Sequence, residues 1–348
     1  MYQADVSSVT NTLSVSNPTV FSDSTISQIL ALSTRTGDAT VSFESAKPDA
    51  SGNVTVSSGA EVVFISSSDT LTTTIKPPVN APVVVFQGRG GVIATLNDGV
   101  TVPSGDQSRV DRVVVGSAGG DKIIVQDAKN TQVILGSGNS TITTGGGVDT
   151  VEAGLGNSTI TGGSGDYAVV KLGGSANNYQ VTTQNGHAIV TNEATGKVTE
   201  ISKIQYVQLD NGNALVFANN SLESSVANLY RTAMGRDADA GGLDYWFDLA
   251  KGGATLDQIS KAFTSTTEFT TAHAGQTDDA FVQSLYQTTF NRAGEDAGVA
   301  YWKSLLASGK SKADIIKAFA EIATQNQQKV IATEAEIVGQ VTIVTGII

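Results

Sequence analysis

Few side chains in this sequence can do chemistry, and their types narrow that chemistry at once. There is no cysteine, so thiolate zinc sites, disulfides and cysteine nucleophiles are excluded. The two histidines, His187 and His273, stand far apart in polar company, which argues against a His-dependent triad or a multi-His metal site. Arg89, Arg109, Asp111 and Arg112 make the one mixed-charge cluster. A base beside an arginine there would suit a polysaccharide lyase or hydrolase, although no aromatic sugar platform accompanies it. Tyr245-Trp246 and Tyr301-Trp302 could stack on sugar rings, but their helical spacing beside Leu and Phe favours the core.

The elements that must position these residues are announced by composition. The 348 residues carry a net charge of −12, the wrong sign for a nucleic-acid partner. Charged residues reach only 16% while hydrophobic ones reach 40%, so a core can form and the polar surface is built from Ser, Thr, Asn and Gly. No apolar run is long enough for a transmembrane helix. The first basic residue is Arg35 and no apolar segment follows Met1, so export, if it occurs, is expected to proceed without an N-terminal signal peptide.

Residues 1–110 alternate Ser, Thr and Val in short runs such as Val54-Thr55-Val56-Ser57, Glu61-Val62-Val63-Phe64-Ile65 and Thr70 to Ile75, punctuated by Gly, Pro and Asn. This reads as an all-β region, with Ser24 to Leu32 as an alternative short helix. The continuous run Val83-Val84-Val85-Phe86 has the look of a strand buried on both faces.

From about 111 to 170 the chain repeats. Ile124, Val133, Ile142, Val151, Ile160 and Val169 recur every nine residues, each but the second preceded by a Gly/Asn/Asp turn. Such units bury a ladder of β-branched side chains only when stacked, which predicts a β-solenoid. Glycine is expected to supply positive φ in the turns. These residues resemble the nonapeptide calcium β-roll of repeats-in-toxin (RTX) proteins, with the best matches at Gly116 to Ile123 and Thr144 to Val151, and a shortened one at Gly162 to Ala168. The resemblance implies Ca²⁺ held by the carboxylates of Asp121, Asp149 and Asp166 with turn carbonyls at Gly119, Gly147 and Gly165. Asn139 and Asn157 stand where further carboxylates would be expected. The alternative is a metal-poor coil whose Asn side chains hydrogen-bond the turns. Residues 175–217, with Asp210-Asn211-Gly212 as a turn, resemble the segment that closes such arrays.

The C-terminal part is duplicated. Leu229-Tyr230, Arg236, Gly242, Tyr245-Trp246 and Lys261-Ala262-Phe263 return at one constant offset as Leu285-Tyr286, Arg292, Gly298, Tyr301-Trp302 and Lys317-Ala318-Phe319. Apolar residues at helical spacing divide each copy into three helices. The pattern resembles a bacterial extracellular domain family of unknown function, whose members accompany RTX-type repeats and surface-layer proteins; copy two departs from it at Asn291 and Val299. Asp237, Asp239 and Asp248 loosely resemble an EF-hand loop, but Gly241 holds the fifth position and copy two has Ala293, Glu295 and Ser304 in their places, so a helix cap is the favoured reading. The apolar tail from Ile337 to Ile348 follows Glu334 and Glu336 and resembles an uncleaved type I export signal; a final β-strand is the alternative.

The expected fold is multidomain β plus α. It comprises an all-β region (1–110), a β-solenoid or β-roll with capping strands (111–217), a small all-α domain of two three-helix repeats (218–335) and an apolar tail (336–348). The expected function is a secreted, non-enzymatic surface protein, self-assembling (surface layer, filament or biofilm matrix) or adhesive, with calcium as its candidate stabiliser. Its expected partner is another copy of itself or a cell-surface polysaccharide. The alternatives are a β-solenoid enzyme acting on polysaccharide and a calcium-responsive, toxin-like passenger.

Overall fold

Parallel strands dominate the first two hundred residues of this computed structural model, and helices follow. The structure describes residues 2–16, 21–33, 40–163, 165, 167–236, 238–334 and 342–345. Two units divide the chain: Met1–Leu172 with Asn178–Val181 and His187–Ile204, and Gly173–Asn177 with Thr182–Gly186 and Gln205–Ile348.

In the first unit the chain alternates between two sheets. One stacks Val62–Ser66, Val83–Gln87, Arg112–Val115, Thr131–Ile134, Asp149–Glu152 and Ala168–Lys171, all parallel. The other stacks Thr73–Ile75, Val92–Leu96, Lys122–Val125, Ser140–Thr143, Ser158–Thr161 and Val198–Ser202, again in parallel. Two strands make one coil, so the nine-residue rhythm of the sequence is half a turn. Two columns of side chains run along the interior. Val63, Val84, Val114, Val133, Val151 and Val170 form the first. Ile75, Ala94, Ile123, Ile142, Ile160 and Ile201 form the second. Every member is 1% exposed or less, and burying a Val or Ile of this kind contributes about 1.5–3 kcal/mol.

The expected ladder is therefore correct at its centre and one residue out at its ends: Ile123 replaces Ile124, and Val170 replaces Val169. Val133 and Val151 are separated by two full nine-residue steps, but the intervals from Val151 to Val170 and from Ile123 to Ile142 are each longer by a single residue. A strict period of nine drifts by one wherever a turn carries an extra residue, and a one-residue slip sends a strand side chain to the opposite face. Parallel pairing also continues across position 110, where Val83–Gln87 meets Arg112–Val115.

The all-β expectation for residues 1–110 needs an addition. Helices α1 (Val6–Ser16) and α2 (Asp23–Ser33) lie there, the second matching the anticipated short helix. Val9, Leu13, Phe21, Ile26, Ile29 and Leu32 pack with Val62, Val83, Val85, Val113, Val115 and Ile134, the strand residues that alternate with the interior column. The helices thus cover the outer face of the first sheet, and this is why Val83 to Phe86 are buried on both sides.

From Gln205 on, the second unit opens with the antiparallel pair Tyr206–Gln208 and Ala214–Ala218. Then come α3 (Ser221–Met234), α4 (Ala240–Lys251), α5 (Leu256–Thr264), the short α6 (Thr267–Ala272), α7 (Asp278–Phe290), α8 (Asp296–Ala307) and α9 (Lys312–Glu334). Asn220, Asp239, Thr255, Thr266 and Thr277 cap helix starts through their side chains, satisfying N–H groups that the helix leaves open. Copy two places Asn291 where copy one has Gly235, and both close a helix in the left-handed region, at φ 51° and 67°. That departure from the motif is the second-best residue for the same backbone. Of the apolar tail, Thr342–Thr345 forms a strand antiparallel to Ala214–Ala218; its other residues from 335 on lie outside the described ones.

Candidate functional site

The calcium positions of the coil can be judged by what their oxygens already hold. Asp121 is 3% exposed. Its Oδ1 accepts from Val92 N (2.8 Å) and Ser117 Oγ (2.6 Å), and its Oδ2 from Ser117 N (2.7 Å). Asp149, fully buried, accepts from Thr131 N (2.8 Å) and Gly145 N (2.6 Å). Each carboxylate ties its own turn to the preceding coil through N–H groups that point at it. A calcium ion needs six to eight oxygen ligands, and these oxygens face donors instead. No group of three or more His, Cys, Asp or Glu stands close enough to hold a metal among the described residues. The donor set at Asp121 and Asp149 therefore does not fit Ca²⁺ in this arrangement. Asp166 lies outside the described residues. Burial pushes the Asp121 carboxyl above its ordinary value and raises Asp149 to about 6.

The glycines expected beside the metal have another purpose. A Cβ on Gly119 would overlap the main chain at Gly90 and Gly91, one on Gly147 would strike Lys129, and one on Gly165 would strike the carbonyl of Gly147. Gly136 and Gly154 would meet carbonyl oxygens of the coil below even more closely. None of the glycines from Gly116 to Gly165 has positive φ, which corrects the expectation of left-handed turns. Glycine is there because successive turns touch backbone to backbone. The asparagines complete the stack: Asn130 Oδ1 accepts from Val148 N, Asn139 Oδ1 from Asn157 N, and Asn157 Oδ1 from Val198 N, each at 2.9 Å.

The mixed-charge cluster does not assemble as one site. Arg109 pairs with Asp111 at 2.9 Å, its own side chain half exposed. Arg112 is buried and makes a two-pronged bond to Asp127, 2.9 Å on each arm, with a third bond to Thr131 Oγ1 at 2.9 Å. Asp98 stands 3.5 Å from Arg112 and also pairs with Lys129. Burial pushes the Asp127 carboxyl up, but the hydrogen bonds from Arg112, together with those from neighbouring main-chain N–H groups, outweigh it and hold the group below its usual value. The signal for this network was present in the sequence as Asp98, Arg112 and Asp127, but their separation along the chain concealed that one coil brings them together.

In the helical unit the duplicated motif is an aromatic lock. Trp246 Nε1 donates to Tyr230 OH and Trp302 Nε1 to Tyr286 OH, both at 3.2 Å. Phe263 meets Tyr230 edge-on at 5.0 Å and Phe319 meets Tyr286 at 5.1 Å. Arg236 and Arg292 lie over the two tyrosine rings at 5.1 and 5.2 Å. Gly242 and Gly298 are needed because a Cβ there would run into the same tyrosine hydroxyls. Trp246 is a core group and Trp302 is half-buried; Tyr245 and Tyr301 are more than half exposed. Of the EF-hand-like loop, Asp237 lies outside the described residues, Asp239 caps α4 through Gly242 N at 2.8 Å, and Asp248 pairs with Lys251. His273 bridges Ala233 O (2.7 Å) and Gln276, and His187 pairs with Glu200.

No helix among the described residues is long and apolar enough to cross a membrane. No curated protein and no solved structure matches the chain. Residues 213–273 and 260–329 each match the family described as a domain of unknown function, DUF4214, one match falling mainly on each copy of the helical repeat.

Proposed function

We propose that the chain is a secreted, non-enzymatic structural protein of the cell surface or extracellular matrix that assembles with copies of itself. The observation that carries this reading is the outer face of the second sheet. Two registered rows cross it, Ile93–Lys122–Thr141–Thr159–Glu200 and Thr95–Ile124–Thr143–Thr161–Ser202. The face is regular and hydroxyl-rich, with one lysine and one glutamate among ten positions. Parallel coils present such rows at a fixed spacing of about 4.8 Å, and so few like charges leave the face open to another copy of itself. The helical repeats support the reading through their resemblance to domains that accompany surface-layer and RTX-type proteins. In this proposal the coil stands on its own hydrogen bonds, and calcium is not required to build it.

Electron microscopy and sedimentation of the purified chain test it. Ordered polymers are expected, and Thr141→Lys with Thr159→Lys should disperse them while leaving circular dichroism unchanged. Monodisperse monomers across salt and calcium conditions, or undiminished assembly of the double variant, would overturn the reading.

A further inference from the structure

The two copies of the helical motif differ in what faces the arginine. In copy one, Arg236 is bridged at both ends to Glu268 of α6, Nε to Oε1 at 2.9 Å and Nη2 to Oε2 at 3.0 Å. In copy two there is no counterpart of α6, because α9 runs straight through those positions. Thr324, which takes the place of Glu268 in the second copy, is buried and bonded to Ser225 and Asn228. Arg292 donates to the carbonyl of Ala293 at 3.2 Å and pairs with Glu295 at 2.6 Å, a pair whose side chains are 49% and 69% exposed. Beside it opens a cavity of about 240 Å³ walled by Tyr286, Phe290, Trp302 and Phe319, with Arg292 and Asn326 as its polar members.

We propose that this cavity binds one carboxylated sugar unit, a hexuronate of an acidic polysaccharide. The aromatic walls offer rings against which the C–H face of a pyranose packs. Arg292 presents a planar fork that matches a carboxylate, and Asn326 can both donate to and accept from hydroxyls. Releasing Glu295 costs little, since an exposed ion pair contributes about 0–1 kcal/mol. Copy one serves as the internal control, because Glu268 already occupies two nitrogens of its arginine, whereas Glu295 meets Arg292 through Nη1 alone. The site functions in a monomer and so does not depend on self-assembly.

Calorimetric titration of the full chain with sodium glucuronate, glucose and benzoate, followed also by tryptophan fluorescence, tests the proposal. Glucuronate should bind, and glucose should bind at least tenfold more weakly. Arg292→Gln should lower glucuronate affinity by about tenfold, Asn326→Ala should lower it less, and Arg236→Gln should leave it unchanged, all with native circular dichroism. Absence of glucuronate binding, equal binding of glucose, preference for benzoate, or equal sensitivity to Arg236→Gln and Arg292→Gln would each overturn it.

Discussion

The coil and the helical unit are both built by repetition, yet they repeat by opposite means. Successive coils meet main chain to main chain, with glycine at the points of closest approach. The helical copies preserve a set of side chains, Tyr, Trp, Arg and Phe, around which the backbone differs: α6 follows α5 in copy one, whereas α9 runs on in copy two. The first kind of repeat tolerates variation on exposed rows and none at the turns. The second tolerates Gly235 against Asn291 and Leu243 against Val299, because the aromatic lock is unaffected by either.

The strongest challenge to this contrast is at Arg112. Arg112→Met should destabilise the coil by about 3–5 kcal/mol by leaving Asp127 buried without its partner, read by chemical denaturation followed at strand wavelengths in circular dichroism. Gly136→Ala comes next. Its new methyl overlaps the carbonyl of Ser117, and a loss of about 3 kcal/mol is expected; a neutral result would mean that the coils can separate slightly at no cost. In the helical unit, Tyr230→Phe and Tyr286→Phe should each cost about 1–3 kcal/mol by leaving an indole N–H without its acceptor. Tryptophan fluorescence reports this, since Trp246 and Trp302 both belong to that unit. Unequal effects would show that the two locks are not equivalent.

The smallest effect concerns pH. Asp149 has a folded value of about 6 against an ordinary 3.8. Its contribution to stability is fully present below the ordinary value and is lost as pH rises through about 6. Between pH 7 and pH 5 this group alone should stabilise the coil by about 1 kcal/mol. The gain should vanish in Asp149→Asn when both proteins are denatured at the two pH values.

Much of this architecture was legible beforehand because repetition exposes itself. The nine-residue rhythm located the coil, and the constant offset between paired motifs located the helical copies. Ile124 and Val169 were misphased because rhythm alone does not reveal which turns carry an extra residue. Helix α1, Val-Ser-Ser-Val-Thr-Asn-Thr-Leu-Ser-Val-Ser, was hidden because β-branched and hydroxyl residues favour strands locally, while packing against Val62 and Val83 determines the outcome. The resemblance assigned a metal to Asp121 and Asp149; no local pattern foretold that main-chain N–H groups of Val92, Ser117, Thr131 and Gly145 would point at these two carboxylates. The role of Arg112 and the open cavity of copy two depend on contacts distant in the chain, and no local pattern records them.

Uneven coil lengths bear on how such a chain can change over generations. The stretch from Ala94 to Ile123 is longer than those from Ile75 to Ala94 and from Ile123 to Ile142, yet the column passes through undisturbed. Extra length is accommodated as an excursion at a corner. Duplicating the codons for one whole coil would then extend the rod by a single strand spacing and ask nothing new of its neighbours, whereas deleting half a coil would exchange the two faces.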